Sequence, residues 1–217
     1  MSIEPTPIDV NLAEYIRSHA SGRDETLRLV EDETDAMGPE RSMQTAPEQA
    51  AFLEMLVRLG PGRQAIEVGT FTGYGAIRIA RGLTAEGRLL CCELDSQRAE
   101  IARRNVDQAG IGSKVEIRVG PAIETILSLP ERPAFDFAYV DADKTGYPDY
   151  YEALLPRMNP GGLISFDNVL MGGRILDSKP DDGTAAMQGL NDLILEDPRV
   201  DSVMLGMADG LTLARVH

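Results

Sequence analysis

The stretch Ala65 to Gly75, Ala-Ile-Glu-Val-Gly-Thr-Phe-Thr-Gly-Tyr-Gly, constrains this chain more than any other. Ala65, Ile66 and Val68 form a short buried-strand pattern, and residues 75–83 place apolar side chains at helical spacing, so the glycines join a strand to a helix. Gly69 lets the backbone come close to a ligand, while the helix start offers unpaired N–H groups to a negative group. A dinucleotide fingerprint needs Gly-x-Gly-x-x-Gly, yet Phe71 stands two positions after Gly69 and Gly73 four after it. Glu67, inside the motif, suits a cationic amino group better than a pyrophosphate. A tight turn for helix packing would account for the glycines without any ligand.

Upstream, residues 1–11 carry Pro5, Pro7 and Asn11 and read as a loose arm. Apolar residues from Leu12 to about Met37 predict two short helices around Ser21-Gly22, with Glu31-Asp32-Glu33 as a solvated face. After the break at Gly38-Pro39, Thr45 and Glu48 fit a capping box for a helix whose apolar stripe is Phe52, Leu53, Leu56, Val57 and Leu59. Gly60-Pro61-Gly62 stops that helix.

Downstream, strands are predicted at Arg88–Cys92, Lys114–Val119, Phe135–Val140, Gly162–Phe166 and Val200–Leu205, with helices at Asp95–Ala109, from Ala122 to about Leu129, and at Thr184–Glu196. Asp209-Gly210 signals a hairpin that returns Leu211–Val216 antiparallel. The expected fold is α/β: a Rossmann-like, mostly parallel seven-stranded sheet with an antiparallel C-terminal hairpin, helices on both faces and an N-terminal helical extension. With 217 residues, 43% of them hydrophobic, the whole chain reads as one domain, 1–217, in which 1–45 is the extension and covers the acceptor.

Ligands bind outside the carboxyl ends of strands in such sheets, so the residues at those ends matter most. Glu93 ends the second strand about 26 residues after Glu67, where an acid can accept both ribose hydroxyls of an adenosine. Gly120-Pro121-Ala122 leaves room for an adenine ring, although Pro in a first helical turn needs no ligand. Asp141 follows the fourth strand, and Asp167-Asn168 follow the fifth. Singly these are common turn-formers; together they give three oxygen donors suited to a hard cation such as Mg²⁺.

Other chemistries are disfavoured. The formal net charge is -14, from 21 basic residues against 35 acids with no basic run, which argues against a nucleic-acid partner. No stretch has membrane-spanning length and no secretion signal stands at the start, so a cytoplasmic location without membrane attachment is expected. Cys91 and Cys92 are adjacent in a strand, point to opposite faces and serve packing. The only histidines, His19 and His217, leave the chemistry to carboxylates, amides, lysine or tyrosine.

The residues resemble the small, metal-dependent catechol-type O-methyltransferases, including caffeoyl-CoA O-methyltransferases and their bacterial relatives. Glu67-x-Gly69-x-x-x-Gly73 matches the wider class that uses S-adenosylmethionine (SAM). Two further motifs are more specific: Val140-Asp-Ala-Asp-Lys144-x-x-Tyr147, and Gly161-Gly-x-Ile-x-x-Asp-Asn-Val-Leu170 followed by Gly172-Gly173. The resemblance implies that Asp141, Asp167 and Asn168 bind Mg²⁺ or another divalent cation, and that Lys144 stands beside the acceptor hydroxyl, with Asp141 and Asn168 completing the catalytic set. It implies that Glu67, Gly69, Thr70, Gly73, Gly75, Glu93 and Asp141 line the SAM site, with Met43 and Thr45 closing over it and Ala122 near the adenine. A homodimer and a catechol-like small-molecule acceptor follow from the same resemblance. The family often has Ser at Gly75 and Trp near Met171, whereas this chain has no Trp. A nicotinamide-dependent oxidoreductase and a non-catalytic cofactor-binding sensor or scaffold are the alternatives. Phe71 and the absence of a Tyr-x-x-x-Lys pair weigh against the first.

Overall fold

In the computed structural model, which describes residues 6–217, strands β1 (Gln64–Val68), β2 (Arg88–Glu93), β3 (Val115–Val119), β4 (Phe135–Val140), β5 (Met158–Asp167), β6 (Val200–Leu205) and β7 (Leu211–Val216) form one sheet. Their order is β3-β2-β1-β4-β5-β7-β6. The first five are parallel; β7 runs antiparallel to both β5 and β6. This is the expected seven-stranded architecture. Part of the expected N-terminal arm, residues 1–5, lies outside the described residues.

Helices α1 (Val10–Ser18), α2 (Glu25–Asp35), α3 (Pro47–Leu59), α4 (Tyr74–Gly82), α5 (Ser96–Gln108), α6 (Ala122–Ser128), α7 (Tyr147–Leu154) and α8 (Asp182–Glu196) cover the sheet. The period-two alternation of the strands decides which helices each residue meets. Ile66, Val68, Cys92, Ala138, Val140 and Phe166 pack with Ile126, Tyr147, Tyr151, Met187 and Leu190 from α6, α7 and α8. Ala65, Cys91, Phe137, Tyr139 and Leu213 pack on the other face with Leu27, Leu53, Ile77 and Val106 from α2 to α5. The adjacent cysteines therefore enter opposite cores, as their spacing predicts.

Three local expectations need correction. Thr45 does not cap α3: Ala46 holds that position without a side-chain bond, Pro47 begins the helix, and the Thr45 hydroxyl turns inward to Tyr139. The acidic run in α2 is not simply solvated. Glu31 accepts from the Tyr74 hydroxyl at 2.8 Å and pairs with Arg23, and Glu33 accepts from Asn105 at 3.0 Å and pairs with Arg104. The strand expected at Gly162 begins earlier, because Met158 pairs with Phe135 before an irregularity in the β4–β5 ladder. Among the described residues, no helix is long and apolar enough to cross a membrane.

Candidate functional site

The pairing register assembles the site. Glu67 lies opposite Cys91 on one side and Tyr139 on the other, and Tyr139 opposite Ser165. Two residues further along, on the same face, stand Glu93, Gly69, Asp141 and Asp167. The pair Val140–Phe166 places Asp141 and Asp167 side by side at adjacent strand ends. One cavity of about 870 Å³ opens above this row, within the usual size of a small-molecule site.

Its first half is the glycine turn. Gly69 has φ +90°, and a Cβ there would overlap the Asp141 carbonyl oxygen, so backbone passes backbone where no side chain fits. The Glu93 carboxylate accepts the Thr70 and Phe71 amides on one oxygen, at 3.1 and 2.7 Å, and the Asp95 amide on the other, at 3.0 Å. The acid expected to read a ribose is thus also the brace of the turn. Arg98 lies over the Phe71 ring, 5.5 Å from its centroid.

Glu67 sits beneath this wall rather than on it. It is 1% exposed, its Oε2 has no hydrogen-bond partner, and burial pushes its carboxyl up to about 8. A Cβ on Gly75 would come within 2.5 Å of Glu67 Oε1, which is a physical reason for glycine at this position. Gly73 is also off the wall. Its φ of +89° starts α4, and its missing side chain lets the turn pack on Ala102 of α5. Met43, Thr45, Thr70, Gly75, Glu93 and Ala122 all reach the cavity.

The other half holds Asp141, Lys144, Asp167 and Asn168. Lys144 Nζ donates to Asp141 Oδ1 at 3.0 Å and to the Tyr147 hydroxyl at 2.8 Å, and that hydroxyl donates to the Val140 carbonyl. Asp167 is 4% exposed; its Oδ1 accepts the Asn168 amide and its Oδ2 the Tyr139 hydroxyl, each at 2.6 Å. Burial, followed by the charge of Asp141, holds the Asp167 carboxyl well above the ordinary carboxylate range. Asn168 is in the left-handed region, at φ +58°. Among the described residues no group of three His, Cys, Asp or Glu side chains is placed to hold a metal. The third donor of the expected set is an amide.

Sequence reasoning passed over Tyr139 and Gln49. Both are fully buried, and Gln49 donates to the Tyr139 hydroxyl at 3.2 Å while its own Oε1 has no partner. The parity that Tyr139 shares with Asp141 was the one signal that its hydroxyl faces the site.

A family model described as O-methyltransferase matches residues 17–217. The chain belongs to the O-methyltransferase family. This O-methyltransferase is 36% identical over 176 residues to the probable caffeoyl-CoA O-methyltransferase 1 of Dictyostelium discoideum, covering 79% of this chain and 76% of that one. It is 37% identical over 185 residues to the catechol O-methyltransferase of Niastella koreensis, covering 81% and 83%. Among solved structures, the O-methyltransferase from Bacillus cereus in complex with SAH superposes with a TM-score of 0.86 at 32% identity, covering 95% and 97% of the two chains. As a member of this family the protein is a SAM-dependent enzyme. Neither the oxidoreductase nor the non-catalytic alternative is favoured.

Proposed function

We propose that this O-methyltransferase transfers the methyl group of SAM to one hydroxyl of a catechol-like, vicinal dihydroxy small molecule, with a divalent cation held by Asp141, Asp167 and Asn168, and that it works as a homodimer. The observation that carries the reading is that these three residues and Lys144 share one cavity with the glycine turn.

The residues present fit both groups. Glu67 Oε2 and Gln49 Oε1 are buried acceptors without partners, the environment an ammonium group requires. Two carboxylates and an amide oxygen suit a hard cation that keeps open positions. When bound, SAM supplies an electrophilic methyl and the cation lowers the pKa of a chelated phenol, whose ordinary value is about 10.

The chain's own residues supply orientation and charge. Asp141 and Asp167 set the direction of the two acceptor oxygens, and the Gly69 turn presents the cofactor from the neighbouring strand end. Lys144 spends two N–H donors on Asp141 and Tyr147, which leaves the third for the acceptor oxygen. In this reading Lys144 acts as a charged donor that stabilises the developing phenolate. Holding both reactants at the carboxyl ends of neighbouring strands contributes several kcal/mol through orientation alone.

The test is formation of demethylated cofactor from SAM with a panel of catechols, with Mg²⁺ and with EDTA. Turnover is expected only with the cation, and Lys144→Met is expected to lower kcat on the order of a hundredfold while keeping SAH affinity. Equal turnover in EDTA removes the cation from the reading. Tight SAH binding without turnover of any catechol removes the acceptor class.

A further inference from the structure

Tyr139 occupies the middle of β4, 0% exposed, on the face that carries Glu67 and Asp141. A phenol has one proton to donate and two lone pairs. Asp167 Oδ2, 2.6 Å away, is an acceptor and takes the proton. The remaining neighbours, Gln49 Nε2 and Thr45 Oγ1, each at 3.2 Å, then donate to the two lone pairs. Every hydrogen-bonding direction of the hydroxyl is committed, so its position is determined from three sides.

Asp167 receives the result. One oxygen is held by the Asn168 amide and the other by Tyr139, which locks the plane of the carboxylate. Both partners are neutral donors. They orient Asp167 without cancelling its charge, as an arginine or lysine in the same place would.

We infer that Tyr139 is a positioning residue, which fixes Asp167 for the divalent cation and ties that carboxylate to the cofactor-covering segment through Thr45 and Gln49. The inference rests on the proposed cation site. Thr45, Gln49 and Asp167 all line the one cavity, and the buried Tyr139 hydroxyl joins them from beneath it. Groups that orient a metal ligand from behind commonly change metal affinity by 10–100-fold when removed.

The test uses Mn²⁺ as the probe, titrated by electron paramagnetic resonance into the intact protein, alone and with SAH. Tyr139→Phe keeps the ring and removes only the hydroxyl. It is expected to bind Mn²⁺ about tenfold more weakly with altered fine structure, while SAH affinity stays within about twofold. Raising Mn²⁺ should recover part of its lost turnover, a response that a purely structural defect would not give. Wild-type protein that binds Mn²⁺ no better than Asp141→Asn removes the cation site, and the inference with it. Wild-type protein that binds Mn²⁺, beside a Tyr139→Phe that binds it equally well, overturns the inference alone. Should Tyr139→Phe fail to fold, Gln49→Leu, which strips one donor from the phenol, decides by the same titration with an expected loss of about threefold.

Discussion

Gly69 and Glu67, two residues apart at the carboxyl end of β1, place opposite demands on the chain. Gly69 must have no side chain, because its φ of +90° and the Asp141 carbonyl leave no space for one. Gly69→Ala is expected to lower stability on the order of 3 kcal/mol, read by thermal unfolding, and to abolish SAH binding; a variant with unchanged melting would contradict the packing. Glu67 instead is a buried carboxyl that the fold keeps protonated in the absence of a cationic ligand. Its carboxyl is raised from 4.5 to about 8, so between those values the native chain holds a proton that the unfolded chain has lost, and stability falls as pH rises. The wild-type apoprotein should therefore lose up to about 1.4 kcal/mol per pH unit between pH 5 and 8 relative to Glu67→Gln, and saturating SAH should shrink that difference. Parallel pH profiles for the two proteins would refute this. Glu67 was legible because a carboxylate interrupts an apolar run. Tyr139 was not, since Phe137-Ala-Tyr-Val140 reads as uninterrupted core.

Elements with punctuation at both ends were the readable ones. α5 lies between its Asp95 cap and Gly110, and β7 follows the Asp209-Gly210 turn, so both could be placed within a residue or two. α7 was missed because Pro148 and Pro156 bracket it and look like breakers, although Pro in the first turn is compatible with a helix. Asn159-Pro160-Gly161 hid the start of β5 in the same way, as its irregular register tolerates residues that a regular ladder would not. Contacts between elements left the weakest trace. The N-terminal extension is held to α4 by Arg78, whose guanidinium donates to the Ser21 and Gly22 carbonyls and pairs with Glu54 at 2.8 Å, with only 4% of its side chain exposed. Arg78→Met leaves Glu54 without that partner and should cost about 3 kcal/mol. Hydrogen exchange should rise across residues 19–35, and protection equal to wild type there would show that the extension is held by its apolar contacts alone.

At the scale of the whole molecule, a net charge of -14 sets a repulsive background against which every local pair works. Raising salt from about 20 to 200 mM shortens the Debye length well below the molecular diameter. The melting temperature should then rise by about 3 °C, because relief of long-range repulsion outweighs the weakening of exposed pairs such as Arg118–Glu116. A fall would mean that the surface pairs dominate. The fold class was legible because alternating strands and helices leave few topologies. The site was legible where its residues end strands or fall within a motif, and not where a cross-sheet neighbour completes it. That cross-sheet row, Glu93, Gly69, Asp141 and Asp167, also bears on how such a chain can evolve. Side chains alternate with period two, so gaining or losing one residue inside β1, β4 or β5 would turn the row to the opposite face and dismantle the site in one step. Insertions and deletions in descendants of this chain should therefore collect in the connections between elements, leaving strand lengths as the invariant that homologues share.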